Sequence, residues 1–243
     1  MSELTPVTAD LASTRSNQAY DDLRNLIISG HFKPNVRLTD AELTSLLDVS
    51  RGTVRSVTAR LVSEGYLTSE PHRGVRTRIF TVEEAVEILE AREILESALA
   101  AKAAERATDV ELDELGAICE QMASAEYDRQ EAEYSRLNRQ FHKLVRDAAR
   151  QPTLSGFTDQ LLYALVMRQY RSLTRKDPRR DALNEHRAIL YALQTRNPEA
   201  AGAAMRHHVA SARRALLMSS EAGPDAKGLG TVTGRGSSTQ VSA

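Results

Sequence analysis

The 243-residue sequence contains no tryptophan and only one cysteine, and aromatic residues make up just 5% of it. The single thiol, Cys119, excludes a disulfide framework within the chain and fits a reducing compartment. No stretch approaches the roughly 18 apolar residues that a membrane helix needs. The N-terminus also lacks the basic and apolar segments of a secretion signal. These absences predict a cytoplasmic protein without membrane contact.

The chain also lacks a strong net charge, since its formal charge is -1. The charge is nevertheless unevenly placed. Between Arg51 and Arg78, six arginines stand against two acids, Glu64 and Glu70, which leaves a local charge of +4. Such a basic segment is either a solvated surface or a binding face, and its geometry decides between the two.

Two sequence patterns meet near Phe80. Up to residue 79 the order is helix, short strand, helix, turn, helix and hairpin, which is the plan of a winged helix-turn-helix. Beyond it, the sequence is rich in Ala, Leu and Glu and predicts only helices, at about 81–106, 109–127, 131–149, 153–174, 180–195 and 198–218. Capping boxes mark three helix starts, at Thr39 with Glu42, Thr81 with Glu84 and Thr108 with Glu111.

The sequence therefore predicts a mainly α protein with two domains. A winged helix-turn-helix at 15–79 is followed by an antiparallel bundle of about six helices at 80–219. Residues 1–14 and 220–243 are predicted to be disordered tails, because they have little to bury.

Two arginines at the start of the third helix lie on one side of it. Helical spacing places Val54, Val57 and Leu61 on the buried side and leaves Arg51 and Arg55 on the outer half. A helix fits the DNA major groove, and an arginine can donate two hydrogen bonds to guanine. Amides at the helix N-terminus can bind phosphate. The predicted DNA contacts are Ser50, Arg51, Gly52, Thr53 and Arg55 on this helix, and Arg73 and Gly74 at the hairpin tip.

The segment VSRGTVRSVTARLVSEGYL, followed by HRG, resembles the recognition helix and wing of the GntR family of bacterial transcription factors. The resemblance covers about residues 15–78. It implies sequence-specific binding of double-stranded DNA by a homodimer on a palindromic operator.

Histidines mark a second candidate site. His142 lies four residues after Asn138, so the two share one helix face. His186 and His208 lie on two later helices, each beside apolar residues, and three imidazoles could converge inside the bundle. Imidazole binds Zn, Ni, Cu or Fe. A core histidine satisfied by one hydrogen bond is the commoner case, and spacing alone leaves both possibilities open.

The order of these residues resembles the FCD ligand-binding domain of FadR-type GntR regulators. That resemblance implies a divalent metal held by Asn138, His142, His186 and His208, most simply Zn, with Ni, Mn or Fe as alternatives. It also implies a small carboxylate effector that completes the coordination and pairs with Arg92, with Tyr163 and Arg168 as further lining residues. For Arg92 the alternative is a surface salt bridge to Glu96, four residues on.

Together these features favour an effector-responsive transcriptional regulator of a catabolic operon, most simply a repressor, over an enzyme. The alternative is a metal-dependent hydrolase or oxygenase built on the helical bundle and fused to a DNA-binding domain. The sequence contains no HExxH motif, and Glu185, adjacent to His186, is expected to point elsewhere. A purely structural metal, or a metal-free dimerisation bundle, also remains open.

Overall fold

The computed structural model of the chain describes residues 7–70, 74–170 and 182–221. This part of the chain is mostly helical, with one small sheet, as the sequence predicted. Within it, no helix has both the length and the apolar character that crossing a membrane requires. The elements in chain order are α1 (Val7–Ser29), β1 (Arg37–Leu38), α2 (Asp40–Leu47), α3 (Arg51–Ser63), β2 (Leu67–Glu70), β3 (Gly74–Thr77), α4 (Val82–Arg106), α5 (Asp109–Tyr127), α6 (Glu131–Ala148), α7 (Pro152–Gln160), α8 (Tyr163–Tyr170), α9 (Ala182–Gln194) and α10 (Pro198–Glu221).

The N-terminal domain has the predicted winged-helix order. Its three strands form an antiparallel sheet in the order β1-β3-β2, with Leu38 opposite Val75 and Leu67 opposite Thr77. The apolar faces of α1, α2 and α3 meet over this sheet, where Leu23, Leu43 and Leu61 are fully buried. Because one side of α3 is buried in this domain, its opposite side faces outward.

Helix starts follow the predicted caps, with one exception. The capping boxes at the starts of α2 and α5 are complete in both directions. At the start of α4, Thr81 accepts the backbone N–H of Glu84, but the carboxylate of Glu84 binds Arg78. The capping box at Thr81 is therefore only half formed, because Arg78 at the end of the hairpin binds the Glu84 carboxylate.

In the helical domain α4 lies along α10, and α9 packs on the same helix. Close approach depends on Gly202 of α10, where an added Cβ would lie 3.3 Å from the carbonyl oxygen of Ser97 on α4. α5 packs against α6 and α9. The residues between these helices are mostly Leu, Ala, Ile and Val, as the shortage of aromatic residues indicated.

Two predictions about helix extent were wrong. The single helix expected at 153–174 is two helices, α7 and α8, because the chain turns at Leu162, whose φ is 54°. The helical domain therefore has seven helices within the described residues. Residues 7–14, expected in a disordered tail, begin α1, since Ala9, Leu11 and Ala12 are good helix formers.

The connection between the domains is held in place by α8. The backbone N–H of Phe80 donates to Oε1 of Gln169 at 2.8 Å, and its carbonyl accepts a hydrogen bond from the Tyr170 hydroxyl at 2.8 Å. The Phe80 ring is buried, and the Arg78 guanidinium lies 4.7 Å from its centroid. The linker is thus packed against the helical domain.

Candidate metal centre and nucleic-acid face

Three histidines converge in the helical domain, as predicted. His142 is on α6, His186 on α9 and His208 on α10, and all three side chains are buried. One ring nitrogen of each lies within 4.8 Å of the corresponding nitrogen of the other two. Three imidazoles from three helices therefore face a common point.

Each imidazole is oriented through its Nδ1 atom. The Nδ1 of His186 donates to the Ala182 carbonyl at 2.6 Å, and the Nδ1 of His208 lies 2.9 Å from Oε2 of Glu185. The Nδ1 of His142 faces Oε2 of Glu96 at 2.7 Å. Carbonyl and carboxylate oxygens only accept hydrogen bonds, so the Nδ1 atoms of His186 and His208 carry the proton and their Nε2 atoms keep the lone pair.

The three Nε2 atoms form a donor set suited to a cation. Nε2 of His142 lies 3.2 Å from Nε2 of His208, which is within hydrogen-bond distance. Nε2 of His186 is buried and has no hydrogen-bond partner among the described residues. Bonds of about 2.0–2.1 Å to a tetrahedral Zn²⁺ would separate two ligand nitrogens by about 3.3 Å. The separation between His142 and His208 matches this spacing, and the three residues together form a candidate site for a divalent transition metal.

Burial also sets the protonation state that metal binding requires. It lowers the pKa of His142 to about 4 and the pKa of His186 well below its ordinary value. Both imidazoles are therefore neutral near pH 7, and only a neutral imidazole offers a nitrogen lone pair to a metal.

Two carboxylates that sequence reasoning missed support the histidines. Burial acts to raise the pKa of Glu96, but the Arg92 guanidinium and His142 hold it well below its ordinary range. Glu185 points away from His186, as expected, yet it does so towards His208. Hydrogen bonds from the ligand's other ring nitrogen fix its tautomer and orientation. The sequence shows both acids but not which of them are buried beside a histidine.

Arg92 makes the ion pair that was the alternative to an effector role, but the pair is not on the surface. Its Nε and one terminal nitrogen lie 2.6 and 3.1 Å from the two oxygens of Glu96. Both side chains are about 2% exposed. The pair is therefore a bidentate, buried interaction that also orients the carboxylate facing His142.

A cavity of ≈ 180 Å³ adjoins His142. Arg92, Glu96, Asn138 and His142 all line it. Asn138 thus lies beside the candidate metal centre, one helical turn before His142. Of the other residues predicted to line an effector site, Tyr163 and Arg168 belong to α8, but their side chains lie outside the described part of the chain.

The predicted DNA-binding residues of α3 form an exposed face. Ser50 caps the helix and accepts the Thr53 N–H at 3.2 Å. Arg51, Gly52 and Arg55 are exposed. Arg55 donates to Asp40 at 3.0 Å, and its side chain is 75% exposed. An exposed pair of this kind contributes roughly 0–1 kcal/mol, so Arg55 can exchange it for a DNA contact.

The wing is only partly described. Arg73 lies outside the described residues. Gly74 has a φ of 90°, and an added Cβ would lie 2.7 Å from the Leu38 carbonyl oxygen. The close approach that Gly74 permits is therefore to β1 of its own domain.

The remaining arginines of the basic segment stabilise the fold. Arg60 pairs with Glu64 and stacks over the Tyr20 ring. Arg76 donates to Glu70 at 2.7 Å, and Arg78 binds Glu84. Fewer positive charges are therefore available to bind a polyanion than the local charge of +4 between Arg51 and Arg78 suggests.

Comparison with known proteins covers both domains. A model of the FCD domain matches residues 87–211, and a model of bacterial regulatory proteins of the gntR family matches residues 15–77. The HTH-type transcriptional repressor RspR of Escherichia coli (strain K12) is 28% identical over 195 residues, which are 80% of this chain and 85% of that protein. The HTH-type transcriptional regulator YdhC of Bacillus subtilis (strain 168) is 26% identical over 185 residues, 76% of this chain and 83% of that protein. The solved structure of E. coli McbR/YncC superimposes with a TM-score of 0.74 at 23% identity, covering 84% of this chain and 97% of that one, which shows a shared fold.

Proposed function

The chain belongs to the gntR-family transcriptional regulators that carry an FCD domain, and from this premise we propose that a divalent metal and a small organic acid control its binding to DNA. The observation that carries the proposal is the convergence of three buried imidazoles, two of which are oriented by hydrogen bonds at Nδ1. The regulated genes are proposed to form a catabolic operon, and the regulator acts most simply as a repressor.

We propose that His142, His186 and His208 hold the ion, with Asn138 as a fourth contributor. Zn²⁺ suits a site of three neutral imidazoles, which leaves a position open to a further ligand. A bound ion of this kind would supply a Lewis-acidic position for one carboxylate oxygen of the effector. Arg92 would supply positive charge at the same cavity.

DNA binding is assigned to the outer face of α3 and to the wing. We expect Arg51 and Arg55 to contact base edges, and Ser50, Gly52 and Thr53 at the helix start to contact phosphate. A single recognition helix contacts few base pairs. We therefore expect a homodimer on a palindromic site, which doubles the contacts.

The enzyme alternative has less support. A metal-dependent hydrolase needs a general base that is free to take a proton from water. Glu185 accepts from Nδ1 of His208 instead, and the carboxylate of Glu96 is paired with the Arg92 guanidinium. The family and the relatives named above are transcriptional regulators, so we propose a regulator rather than an enzyme.

The test is metal analysis of protein purified without added metal. We expect about one divalent ion per chain, because three histidines supply most of a transition-metal site. His186→Ala should lose the ion, since a buried ligand is removed, and its unfolding temperature should no longer rise when metal is added. His207→Ala is the matched control, because His207 is exposed on the same helix as His208. Equal metal content in all three proteins would refute the site.

A further inference from the structure

The cavity beside His142 lies between the two domains. Arg24 of α1 and Tyr66, between α3 and β2, contribute to its lining from the N-terminal domain. Arg92 and His142 contribute from the helical domain. Nε of Arg24 donates to the Tyr66 hydroxyl at 2.9 Å, which holds both side chains at this boundary. A molecule in the cavity therefore touches the DNA-binding domain directly.

The lining is positively charged. Four arginines face two carboxylates, which leaves an excess of two positive charges among the lining residues. The acids are already engaged: Glu96 with Arg92, and Asp159 with Arg146 at 3.3 Å. A small molecule with one negative charge would neutralise only half of this excess, and a divalent ion on the histidines would add to the positive charge.

The cavity has the size of a small metabolite and a route to solvent. One water needs roughly 10–15 Å³ of such space, so ≈ 180 Å³ accommodates a molecule on the order of ten non-hydrogen atoms. The Asp159 side chain is 60% exposed and lies at the rim. An unbranched dicarboxylate of about four to six carbons has this size and charge.

We propose that the effector is a small dicarboxylate that bridges the domains, with one carboxylate at the His142 and Arg92 wall and the other at Arg24. This inference rests on the proposed function, since it assumes an anionic effector beside the metal centre. It adds the second anionic group and the residue of the DNA-binding domain that recognises it. A ligand held by both domains favours one orientation between them, because it binds that orientation better than any other.

The experiment compares succinate with butyrate, which has the same four-carbon chain and one carboxylate fewer. Affinities for the metal-loaded full-length protein are measured by calorimetry. We expect succinate to bind roughly tenfold or more tightly than butyrate, as a charge-assisted hydrogen bond to Arg24 would give. Arg24→Gln should lower the affinity for succinate more than the affinity for butyrate. Arg24→Lys, which keeps the charge, should restore part of the difference.

Two controls separate position from charge. Arg136→Gln removes an exposed arginine of α6 that pairs with Glu133, and should keep the preference for succinate. Inorganic phosphate carries comparable charge but is too short to bridge the domains. Phosphate that binds as tightly as succinate would show that charge alone is recognised, and would overturn the inference.

The outcomes also separate this inference from the proposed function. If metal and butyrate bind but succinate has no advantage, the bridging site is wrong and the proposed function stands. An Arg24→Gln variant that keeps the full preference, or that weakens both acids equally, also overturns the bridge. If neither metal nor either acid binds the wild-type protein, both proposals fail.

Discussion

The buried carboxylate of Glu96 offers the sharpest test of the site, through the substitution Glu96→Gln. Glutamine keeps the size of the side chain and can still accept a hydrogen bond from His142, but it removes the negative charge beside Arg92. The Arg92 side chain is 3% exposed, so its charge would remain buried without the carboxylate that lies 2.6 Å away. Removing one partner of such a pair costs about 3–5 kcal/mol.

That loss is large compared with the typical stability of a protein, about 5–15 kcal/mol. At roughly 2–4 °C per kcal/mol for a chain of this size, the unfolding temperature should fall by roughly 6–20 °C. Urea denaturation of the metal-free protein, followed by circular dichroism, measures the free energy of unfolding directly. An unchanged denaturant slope would show that only stability has changed.

The matched control is Glu90→Gln on the same helix. Glu90 pairs with Arg213, but its side chain is 52% exposed, so the change should cost at most about 1 kcal/mol. The double variant Arg92→Met with Glu96→Gln should recover much of the lost stability, because no buried charge then lacks a partner. If Glu96→Gln costs no more than the control, the argument that the ion pair is buried and coupled is refuted.

Three further predictions concern function and folding. Arg55→Ala should weaken binding to a DNA site obtained by in vitro selection by about 1–3 kcal/mol and relax its sequence preference; unchanged affinity and selectivity would refute the role of α3. Arg92→Lys keeps a positive charge beside Glu96 but loses the planar guanidinium group. The variant should still bind the operator, but dicarboxylates should change that binding less in an anisotropy titration. An unaltered response would refute the effector role. Burial raises the pKa of the Cys119 thiol to about 11, so a thiol reagent at pH 8 should modify it only after unfolding, and rapid labelling of the native protein would contradict its burial.

The sequence predicted those parts of the fold that depend on local signals. The Ser50 cap, the box at Thr39 and the apolar face of α3 are encoded within a few residues, so they could be recognised without the structure. The turn at Leu162 has no such signal. Leucine is a good helix former, and neither glycine nor proline marks the break. The Leu162 side chain is buried, so this turn lies in the core and not in an exposed loop.

The candidate site likewise contains residues that the sequence predicted and residues that it did not. His142, His186 and His208 could be found because each lies in an amphipathic helix beside apolar residues. The two carboxylates that face these histidines could not be found in this way, because Glu96 and Glu185 resemble the many surface acids of the same helices. Only the packing of α4 and α9 against α6 and α10 shows that these two carboxylates face a histidine.

The hydrogen bonds at Phe80 have a consequence for protein engineering. The chain passes from one domain to the other at this residue, yet its backbone is held by Gln169 and Tyr170, which lie 89 and 90 positions further along. A biosensor could be made by fusing residues 1–80 to the ligand-binding half of another regulator. Such a fusion would keep Phe80 but lose Gln169 and Tyr170, the residues that hold its backbone. Such a fusion should transmit a ligand signal only if the recipient half also carries a glutamine and a tyrosine at the corresponding turn of its own α8. The transferable unit is therefore the N-terminal domain together with the surface of α8 that holds it.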